Sequence, residues 1–582
     1  MRPRNSFLPW FLGALTLGGA ASAQTTDQMI EIISREGDPV IGLGVIQTIQ
    51  NLVINNEGGW LVLADTDANA QIDYSVLRQG FPAIGEGDPV AEPAGATVKA
   101  LNNSNWRYDD ASNILWSFKI DGNALNDVCL YWNTRLLARE RVPSGTGEPG
   151  SLGAPADQIL PGAVYRVFMS FDFVTPNKVI AFCELDDPDL PSAQDDAVVE
   201  ITIDELGFVL ETNLLIFEGQ QFPVDLDPSD NDDMTFKSIH STPKFHSAGV
   251  NRHGDYIWGP ETDGPENSKY ILIGLHTIVA REGQEFSDPD NPNLDGRTLA
   301  NFTQFEADLN DFGDWVHTAG LNGAANTPLA DSNAVLMVNG EVYVQEGDSL
   351  ASLNGATLGN STAAPVYMTN SRDVFWVADL RNTLGSEDVA YMRNKEVIIR
   401  EGQDFIGEFL VTILRTAVNA FSVSDDGRFW VGEVVLQGGV DAVIMTDFGL
   451  ALELPGCVGN PGTMRKRSGT VRSGDTLTLE MNNGQAPGVV TAVLISGREP
   501  LGGECGAMTP FGELFAVAPY AFVGLGPLWV GPPALIQLNI PNNISLVDTE
   551  WYAQGLFIDI AGTLPEEDLR LTNGMRLEIG AP

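Results

Sequence analysis

Three acidic tracts carry the side chains of this sequence that are best suited to bind a metal ion. Carboxylates and amides stand at near-alternate positions in residues 65–69, 225–233 and 288–296. Six of them are the candidate ligands: Asp225, Asp227, Asp230, Asp288, Asp290 and Asp295. Calcium takes roughly six to eight oxygen ligands of this kind. None of the tracts has the glutamate that closes an EF-hand loop, so they predict either an incomplete calcium motif or solvated acidic loops.

The histidines and the search for catalytic motifs give weaker indications of a functional site than the acidic tracts do. All five histidines lie between residues 240 and 317, at positions 240, 246, 253, 276 and 317. Imidazoles can bind a transition metal, but this spacing matches no compact ligand motif, so surface or packed histidines are expected. The chain has no G-x-S-x-G elbow, no P-loop and no H-E-x-x-H motif. The sequence therefore predicts no catalytic residue and no cofactor besides calcium.

Four cysteines are present, two in the long N-terminal part (Cys129 and Cys183) and two near the C-terminus (Cys457 and Cys505). The close C-x-x-C spacing of redox and metal sites is absent, which favours structural disulfides. Four cysteines allow three connectivities. The simplest prediction pairs Cys129 with Cys183 and Cys457 with Cys505.

The start of the chain predicts export. Arg2 and Arg4 precede a short apolar run, residues 7–17, and the small residues that follow end at Ala23. This pattern is typical of a signal peptide covering residues 1–23. No later stretch is long and apolar enough to span a bilayer. We expect a protein that is secreted or held at the cell surface, in an oxidising compartment.

Composition restricts the partners. The 582 residues include 78 Asp and Glu against 32 Lys and Arg, a formal charge of -46, with 43% hydrophobic residues. The hydrophobic content is that of a globular chain. The negative field repels phosphate backbones, so no nucleic-acid partner is expected, whereas an extracellular protein or glycan partner stays open. The oligomeric state is also left open.

A Glu-Gly tract recurs along the N-terminal part. Its seven copies are centred on Glu36, Glu86, the degenerate Glu140, Glu218, Glu282, Glu346 and Glu401. The copies are separated by about 50 to 78 residues, the spacing of large repeat units. A residue that recurs in every unit is expected to serve turn geometry or contacts between units rather than catalysis.

A second element alternates with these tracts. Turn residues precede aromatic or apolar strands at Gly58, Asn113, Asn177, Gly254, Gly313, Asp373 and Gly427. Each unit then contains about four strands, which predicts an all-β fold: a seven-bladed β-propeller with four-stranded blades over residues 24–456. A linear solenoid or a row of small sandwiches is the alternative. The last blade is completed either by the N-terminal strand within residues 29–40 or by residues 449–454.

From Cys457 the Glu-Gly tract is lost and alternating apolar residues predict a separate β-sandwich over residues 457–582. The basic cluster Arg465, Lys466 and Arg467 at its entrance is expected to be a solvated loop.

The repeats resemble a class of exported bacterial tandem-repeat proteins with an N-x-x-G-x-x-x-F signature. Asn55, Asn251 and Asn310 each begin an N-x-x-G motif, although none of the three motifs ends in Phe. The C-terminal part looks like C-terminal domains of secreted planctomycete or myxobacterial-type proteins. Both classes are mostly uncharacterised, so the resemblance implies a location and a fold.

These observations predict a secreted, non-enzymatic β-propeller that acts as an extracellular binding or surface-structural module. The alternative is a propeller-type hydrolase or lyase that acts on an extracellular polysaccharide. Carboxylates gathered at one mouth of the central channel would favour the alternative, if they lay beside the tryptophans of the repeats. Those tryptophans, at positions 60, 258, 315, 376 and 430, are instead expected to fill the core between units.

Overall fold

The computed structural model describes residues 30–68, 73–121, 127–142, 163–186, 196–222, 235–238, 249–263, 269–286, 294–300, 306–322, 333–360, 365–482, 489–558 and 569–581. This part of the chain is all-β. Its helical segments are four single 3-10 turns, Ala351–Leu353, Val418–Ala420, Gly503–Cys505 and Ile544–Leu546. Among these residues no helix is long and apolar enough to cross a membrane.

Strand β1 (Glu31–Arg35) is followed by seven antiparallel sheets, which we number I to VII in chain order. Sheet I contains β2 (Pro39–Val40), β3 (Gly44–Ile54), β4 (Trp60–Thr66), β5 (Tyr74–Arg78) and β6 (Phe81–Gly85). Sheet II contains β7 (Val98–Tyr108), β8 (Ile114–Ile120), β9 (Val128–Trp132) and β10 (Arg135–Arg139). Sheet III contains β11 (Val164–Thr175), β12 (Lys178–Asp186), β13 (Asp196–Ile203) and β14 (Val209–Phe217).

Sheet IV contains β16 (Gly249–Val250), β17 (Tyr256–Trp258), β19 (Tyr270–Ile273) and β20 (Thr277–Arg281), with the separate pair β15 (Phe236–Ser238) and β18 (Glu261–Thr262) beside it. Sheet V contains β21 (Thr298–Ala300), β22 (Ala307–Leu309), β23 (Trp315–Asn322), β24 (Ala334–Val338) and β25 (Glu341–Gln345). Sheet VI contains β26 (Thr357–Leu358), β27 (Val366–Met368), β28 (Val374–Arg381), β29 (Val389–Arg393) and β30 (Glu396–Arg400). Sheet VII contains β31 (Phe405–Ile406), β32 (Phe409–Leu414), β33 (Phe421–Val423), β34 (Phe429–Leu436) and β35 (Val440–Asp447).

The remaining strands form the C-terminal sheets. They are β36 (Leu450–Leu454), β37 (Thr463–Ser468), β38 (Thr476–Asn482), β39 (Val489–Ser496), β40 (Ala507–Thr509), β41 (Gly512–Leu514), β42 (Phe522–Trp529), β43 (Ala534–Asn539), β44 (Glu550–Ile558) and β45 (Leu569–Glu578). One sheet has the order β36-β45-β44-β39-β42, a second has β37-β38-β43, and β40 pairs with β41. The first two sheets share one apolar core around Met464, Leu479 and Phe557.

The N-terminal strand completes sheet VII. Strand β1 pairs antiparallel with β35, from Glu31 opposite Met445 to Arg35 opposite Ala442. Strand β36 pairs instead with β45, in the C-terminal sheet. Of the two alternatives for the last repeat, the structure therefore has the N-terminal strand. It also places residues 450–454 with the C-terminal sheets, before the boundary expected at Cys457.

The core of this region lies between sheets. Seven apolar clusters each combine residues of two neighbouring sheets, and one of them joins sheet VII to sheet I through Phe429, Val431 and Val62. Because successive side chains of a strand point to opposite faces, Ile257 packs towards sheet V and Trp258 towards sheet III. Four of the five tryptophans are buried in these clusters and Trp315 packs against one, as expected.

The Glu-Gly tracts are turns that connect one sheet to the next. In all seven copies the backbone N–H of the glutamate donates to a carbonyl just before or at the start of the strand that pairs with the strand preceding the tract. The N–H of the following residue donates to the next sheet, for example from Gly37 to Ile46 and from Gly402 to Val411. This residue has φ from 58° to 92°, which glycine adopts without strain, and the degenerate copy keeps the conformation with Arg141. The expectation that the recurrent glutamates serve turns and contacts between units is confirmed.

The disulfide prediction is half right. Cys457 and Cys505 form a disulfide. The predicted pairing of Cys129 with Cys183 is wrong, because both are buried free thiols. Cys129 lies on β9 and faces the cluster between sheets I and II, whereas its neighbour Leu130 faces sheet III, where Cys183 is buried. Burial raises the pKa of the Cys129 thiol to about 12.

The basic cluster is not a loop and is only partly solvated, with Arg465 and Arg467 exposed. It lies on strand β37, and Lys466 is buried against sheet VI. Its ammonium group is 2.5 Å from Asp373 Oδ2, which also accepts a hydrogen bond of 2.6 Å from Arg393. Desolvation lowers the pKa of Lys466 to about 8. The C-terminal sheets therefore dock on sheet VI through a buried cluster of charges.

Candidate functional site

One cavity of about 870 Å³ is lined by one strand from each of sheets I to VII, which we call the inner strand of that sheet. These inner strands are β3, β7, β11, β16, β22, β27 and β33, and each ends in the turn that leads to the next strand of its sheet. Residues from the C-terminal sheets, including Leu452, Glu453, Arg576 and Glu578, line the same cavity. The cavity is therefore formed jointly by the repeated sheets and the C-terminal part.

The turns at the ends of the inner strands, which we call the rim turns, are linked from sheet to sheet. The side-chain amide of Asn55 donates to the carbonyl of Asp109 in sheet II, and that of Asn310 donates to the carbonyl of Thr369 in sheet VI. One position further along, the N–H of Asn56 donates to Asp110 and the N–H of Asp311 to Asn370. The rim turns thus use amide and carboxylate oxygens to satisfy backbone donors of the neighbouring sheet.

The same contacts connect the last sheet to the first. The N–H of Asp426 in sheet VII donates to Asn56 Oδ1 in sheet I at 2.9 Å. The N–H of Ile54 donates to Ser422 Oγ in sheet VII at 3.4 Å. Together with the apolar cluster between these two sheets, the bonds join the ends of the repeat region.

In some rim turns the residue with positive φ lies one position before the turn residue predicted from the sequence. Gly58, Gly254, Gly313 and Gly427 have the positive φ that glycine adopts without strain in a turn. In sheets II and VI the positive φ belongs to Ser112 and Arg372, one position before Asn113 and Asp373. Asn113 and Asp373 hold these turns through side-chain hydrogen bonds, which explains why residues favourable for turns stand there.

Carboxylates gather in the cavity. Asp172 on β11 forms an ion pair of 2.9 Å with Arg107 on β7. Asp308 on β22 accepts the N–H of Met368 on β27 at 2.8 Å. Burial, together with the negative charge of Asp172, raises the pKa of Asp308 to about 7, against the lowering effect of the two backbone bonds it accepts and of Arg107. Sheets II, III, V and VI therefore meet through the charged groups of Arg107, Asp172 and Asp308 and the backbone N–H of Met368.

Two carboxylates of sheet VII complete this set. Burial raises the pKa of Asp426 to about 6, with a contribution from Asp110. Asp425 is exposed to the cavity, yet its pKa is raised well above the ordinary value by the surrounding protein and by the charges of Asp172, Asp110, Asp311 and Asp308. Among the described residues the Asp425 carboxylate has no hydrogen-bond partner. Asp425, like the exposed Glu57 in the rim turn of sheet I, is therefore a carboxylate of the cavity that is available to a ligand.

The tryptophans singled out from the repeats do not lie at the cavity. Its aromatic lining comes from inner strands and rim turns, and includes Trp106, Phe173, Phe312, Tyr367 and Phe429. Tyr367 donates from its hydroxyl to the carbonyl of Phe421, a contact between sheets VI and VII. The cavity therefore combines acidic groups with apolar ring surface. Such a lining suits a polar ligand that also has apolar faces.

The C-terminal part covers one side of the rim. Arg428, beside the rim turn of sheet VII, bonds to Asp447, Asp548 and Glu578. Arg372 in the rim turn of sheet VI pairs with Asp314 at 2.9 Å and with Glu453 at 3.3 Å. These ion pairs hold the C-terminal sheets at the mouth of the cavity.

The predicted metal ligands lie mostly outside the described residues. Asp225, Asp227, Asp230, Asp288 and Asp290 fall there, and Asp295 is exposed in a turn. Within the described ranges no group of three His, Cys, Asp or Glu residues is arranged to hold a metal ion. His317 is fully buried on β23, and burial lowers its pKa to about 4. A packed histidine was the expectation, and at this position it is confirmed.

Sequence reasoning missed the carboxylates of the cavity. The signal that could have found them is the position after the first residue of each rim turn. When the repeats are aligned on Asn55, Asn251 and Asn310, this position is occupied by Asn56, Asp110, Pro176, Arg252, Asp311, Asn370 and Asp425. Six of these seven residues are polar. They stand several positions before the aromatic residue of the strand that follows. Asp172 and Asp308 carry no such signal, because they lie within strands.

No family model and no curated protein matches this chain. Among solved structures, a puromycin hydrolase has a TM-score of 0.28 at 12% identity, with 67% of this chain matched to 50% of the hydrolase. A protein of unknown function from Dyadobacter fermentans has a TM-score of 0.24 at 10% identity, with 59% of this chain matched to 94% of that protein. A sialidase has a TM-score of 0.22 at 9% identity, with 94% of this chain matched to 48% of the sialidase. Similarity at this level supports no conclusion on fold or activity.

Proposed function

We propose that sheets I–VII are the blades of a seven-bladed β-propeller and that the C-terminal sheets form a β-sandwich, close to the expected division into residues 24–456 and 457–582. Three contacts support a closed ring: β1 in sheet VII, the apolar cluster between sheets VII and I, and the bond from Asp426 to Asn56. In a closed ring every sheet packs against two neighbours, whereas each end sheet of a linear solenoid packs against only one.

We propose that this propeller is exported and acts outside the cell as a binding or surface-structural module, without catalysis. The disulfide between Cys457 and Cys505 supports an oxidising compartment. The resemblance to exported bacterial tandem-repeat proteins agrees with this location, and the signal peptide, residues 1–23, falls outside the described residues.

One observation carries the non-enzymatic proposal. The carboxylates Asp110, Asp308 and Asp311 each accept a hydrogen bond from a neighbouring sheet, so they serve the contacts between blades. A general acid or base needs an oxygen that is free to exchange a proton with a substrate. Asp425 is an exception, because its carboxyl group has no hydrogen-bond partner among the described residues and is available to bind a ligand in the cavity.

The test measures binding and turnover in the same mixtures. The mature protein is melted with a panel of neutral and acidic polysaccharides, and the same samples are analysed for new reducing ends and for unsaturated products. A ligand at about one hundred times its Kd stabilises the folded state by about 2.7 kcal/mol. We expect a raised Tm without product, and Asp425→Asn should weaken the shift while the unliganded Tm stays the same. Glu205→Gln removes one exposed charge that does not line the cavity and is the matched control.

The alternative function, a hydrolase or lyase acting on polysaccharide, is favoured by one observation. Asp308 and Asp426 have raised pKa values of about 7 and about 6, and carboxylates perturbed in this way are common at catalytic sites. If product forms, and Asp308→Asn abolishes it while Glu205→Gln does not, a hydrolase or lyase replaces the non-enzymatic module as the proposed function.

Calcium binding by the six acidic residues of the tracts at 225–230 and 288–295 stays a prediction. If it occurs, calcium raises the Tm of the mature protein by mass action and a chelator reverses the shift. The triple variant Asp225→Asn, Asp227→Asn, Asp230→Asn would then lose part of the shift. An unchanged Tm would assign the acidic tracts to solvation.

A further inference from the structure

A long uncharged run interrupts an otherwise highly charged chain. Residues 514–547 contain no Asp, Glu, Lys, Arg or His, although charged residues make up 19% of the whole sequence. The run covers strands β42 and β43. Its exposed apolar side chains include Phe522, Leu525 and Leu528, which are 47%, 66% and 54% exposed. This surface stands out on a protein with a formal charge of -46.

Strand β42 lies at the edge of its sheet. It pairs with β39 on one side, from Phe522 opposite Ile495 to Trp529 opposite Val489, and no other strand in the described part of the chain pairs with it. Both faces of β42 are exposed over most of its length. We call residues 522–530 the uncharged edge.

The usual protections of an edge strand are largely missing here. Edge strands of monomers commonly carry charged residues, lysine above all, that prevent pairing with another chain. The uncharged edge has none, and Pro527 removes one backbone donor only in its second half. The first half, residues 522–525, is regularly paired on its inner side and leaves an outer row of backbone donors and acceptors.

Charge identifies the occupant of this edge. Two copies of a chain at -46 repel each other wherever their acidic surfaces meet, and the uncharged edge is a place where they can approach. A partner that presented charged side chains would have to bury them against apolar groups without counter-ions. An antiparallel pairing about a twofold axis places the edge against itself, which is the commonest symmetry of homodimers. We propose that the uncharged edge is a homodimer interface in which β42 pairs with β42 of a second copy.

The experiment measures the molar mass of the mature protein by sedimentation velocity over a concentration series, at low and at high sodium chloride. Leu525→Glu is compared with Leu206→Glu, because Leu206 is exposed to almost the same extent, 65%, and lies in the turn between β13 and β14 of sheet III, outside the uncharged edge. Both variants are first checked for an unchanged Tm. Hydrogen exchange of residues 522–525 is then followed at concentrations below and above the dimer Kd.

The wild type should dimerise, more tightly at high salt because the repulsion between acidic surfaces is screened. Leu525→Glu should raise the dimer Kd at least tenfold, Leu206→Glu should leave it within twofold, and the amides of residues 522–525 should be protected in the dimer. A wild type that stays monomeric at high salt overturns the proposal, as does an equal effect of the two variants. Binding of the monomer to uncharged lipid vesicles, lost in Leu525→Glu, would assign the edge to a membrane surface and also overturn it.

Discussion

The repeated sheets and the C-terminal sheets are held together by different kinds of contact. Throughout sheets I to VII the same backbone hydrogen bonds recur at every Glu-Gly tract. The N–H groups of each tract donate to carbonyls of the same sheet or of the neighbouring strands. The C-terminal sheets use contacts that occur once: the disulfide of Cys457 with Cys505 and the buried charges of Asp373, Arg393 and Lys466. A repeat distributes its stability over many equivalent bonds, whereas the C-terminal docking depends on a few.

The two regions also differ in what they offer to partners. The repeated sheets enclose an acidic cavity in which most carboxylates are engaged with neighbouring strands. The C-terminal sheets present the uncharged edge of β42. Polar recognition is therefore expected at the cavity and apolar association at the edge. Substitutions that weaken one type of contact should leave the other type intact.

The largest effect is expected at the buried charges. Asp373→Asn keeps the shape of the side chain but leaves Arg393 and Lys466 buried without their shared counter-ion. Breaking a buried pair in this way costs about 3–5 kcal/mol of unfolding free energy. Denaturant unfolding measures the loss. The control is Asp348→Asn, which alters an exposed cap on Gln345 in one Glu-Gly tract and should cost below about 1 kcal/mol. Equal losses would mean that the docking contacts are no different from the repeated ones.

The disulfide should come next. Cys457→Ser with Cys505→Ser opens a loop of 48 residues and is expected to destabilise the protein by about 2–4 kcal/mol. A reductant should reproduce the effect on the wild type and have none on the double variant. The thiols of Cys129 and Cys183 are buried and unpaired, so reduction leaves the repeated sheets unchanged. Hydrogen exchange that increases in sheets II and III on reduction would contradict this assignment.

The contrast between repeated contacts and contacts that occur once also explains which features could be predicted from the sequence. The Glu-Gly tract is visible because each copy must make the same turn, and even the degenerate copy at Arg141 keeps its positive φ. The hairpin turn at Asn339 and Gly340 was equally predictable, since both residues have the positive φ that this turn requires. Repetition and local backbone geometry thus leave a direct trace in the sequence.

Contacts that occur once leave no such trace. Whether Cys129 faces Cys183 depends on which face of β9 meets sheet III, and an alternating strand does not reveal this without its neighbours. Lys466 stands in a basic run that looks solvated, but it is buried because sheet VI supplies Asp373. The cavity carboxylates come from different sheets, so only the packing of the sheets against one another brings Asp172 and Asp308 together.

The repeated turns should respond to local geometry alone. Gly402 and Gly37 occupy the same position in two Glu-Gly tracts, with φ of 70° and 88°. An alanine at a positive φ costs about 1–2 kcal/mol. At Gly402 its Cβ would also lie 2.2 Å from the carbonyl oxygen of Ser386, whereas at Gly37 nothing lies within 4 Å. Gly402→Ala should therefore destabilise clearly more than Gly37→Ala in denaturant unfolding. A smaller loss at Gly402 would show that the backbone at Ser386 adjusts freely.

The smallest effect concerns the cavity and depends on pH. Folded Asp308 keeps its proton up to a pKa of about 7, whereas the unfolded chain releases it near the ordinary value of 3.8. Between these values the folded state binds more protons, so this group makes the free energy of unfolding fall as the pH rises from about 4 to 7. Asp308→Asn removes this dependence and can still accept the N–H of Met368. The full shift would correspond to about 4 kcal/mol, but water in the cavity screens the carboxylate, so relative to the wild type the variant should gain on the order of 1 kcal/mol at pH 8 and nothing at pH 4. Thermal melting at both pH values measures the difference, with Glu205→Gln as the exposed control of equal charge. A gain that is the same at both pH values would mean that the cavity is hydrated enough to hold Asp308 ionised.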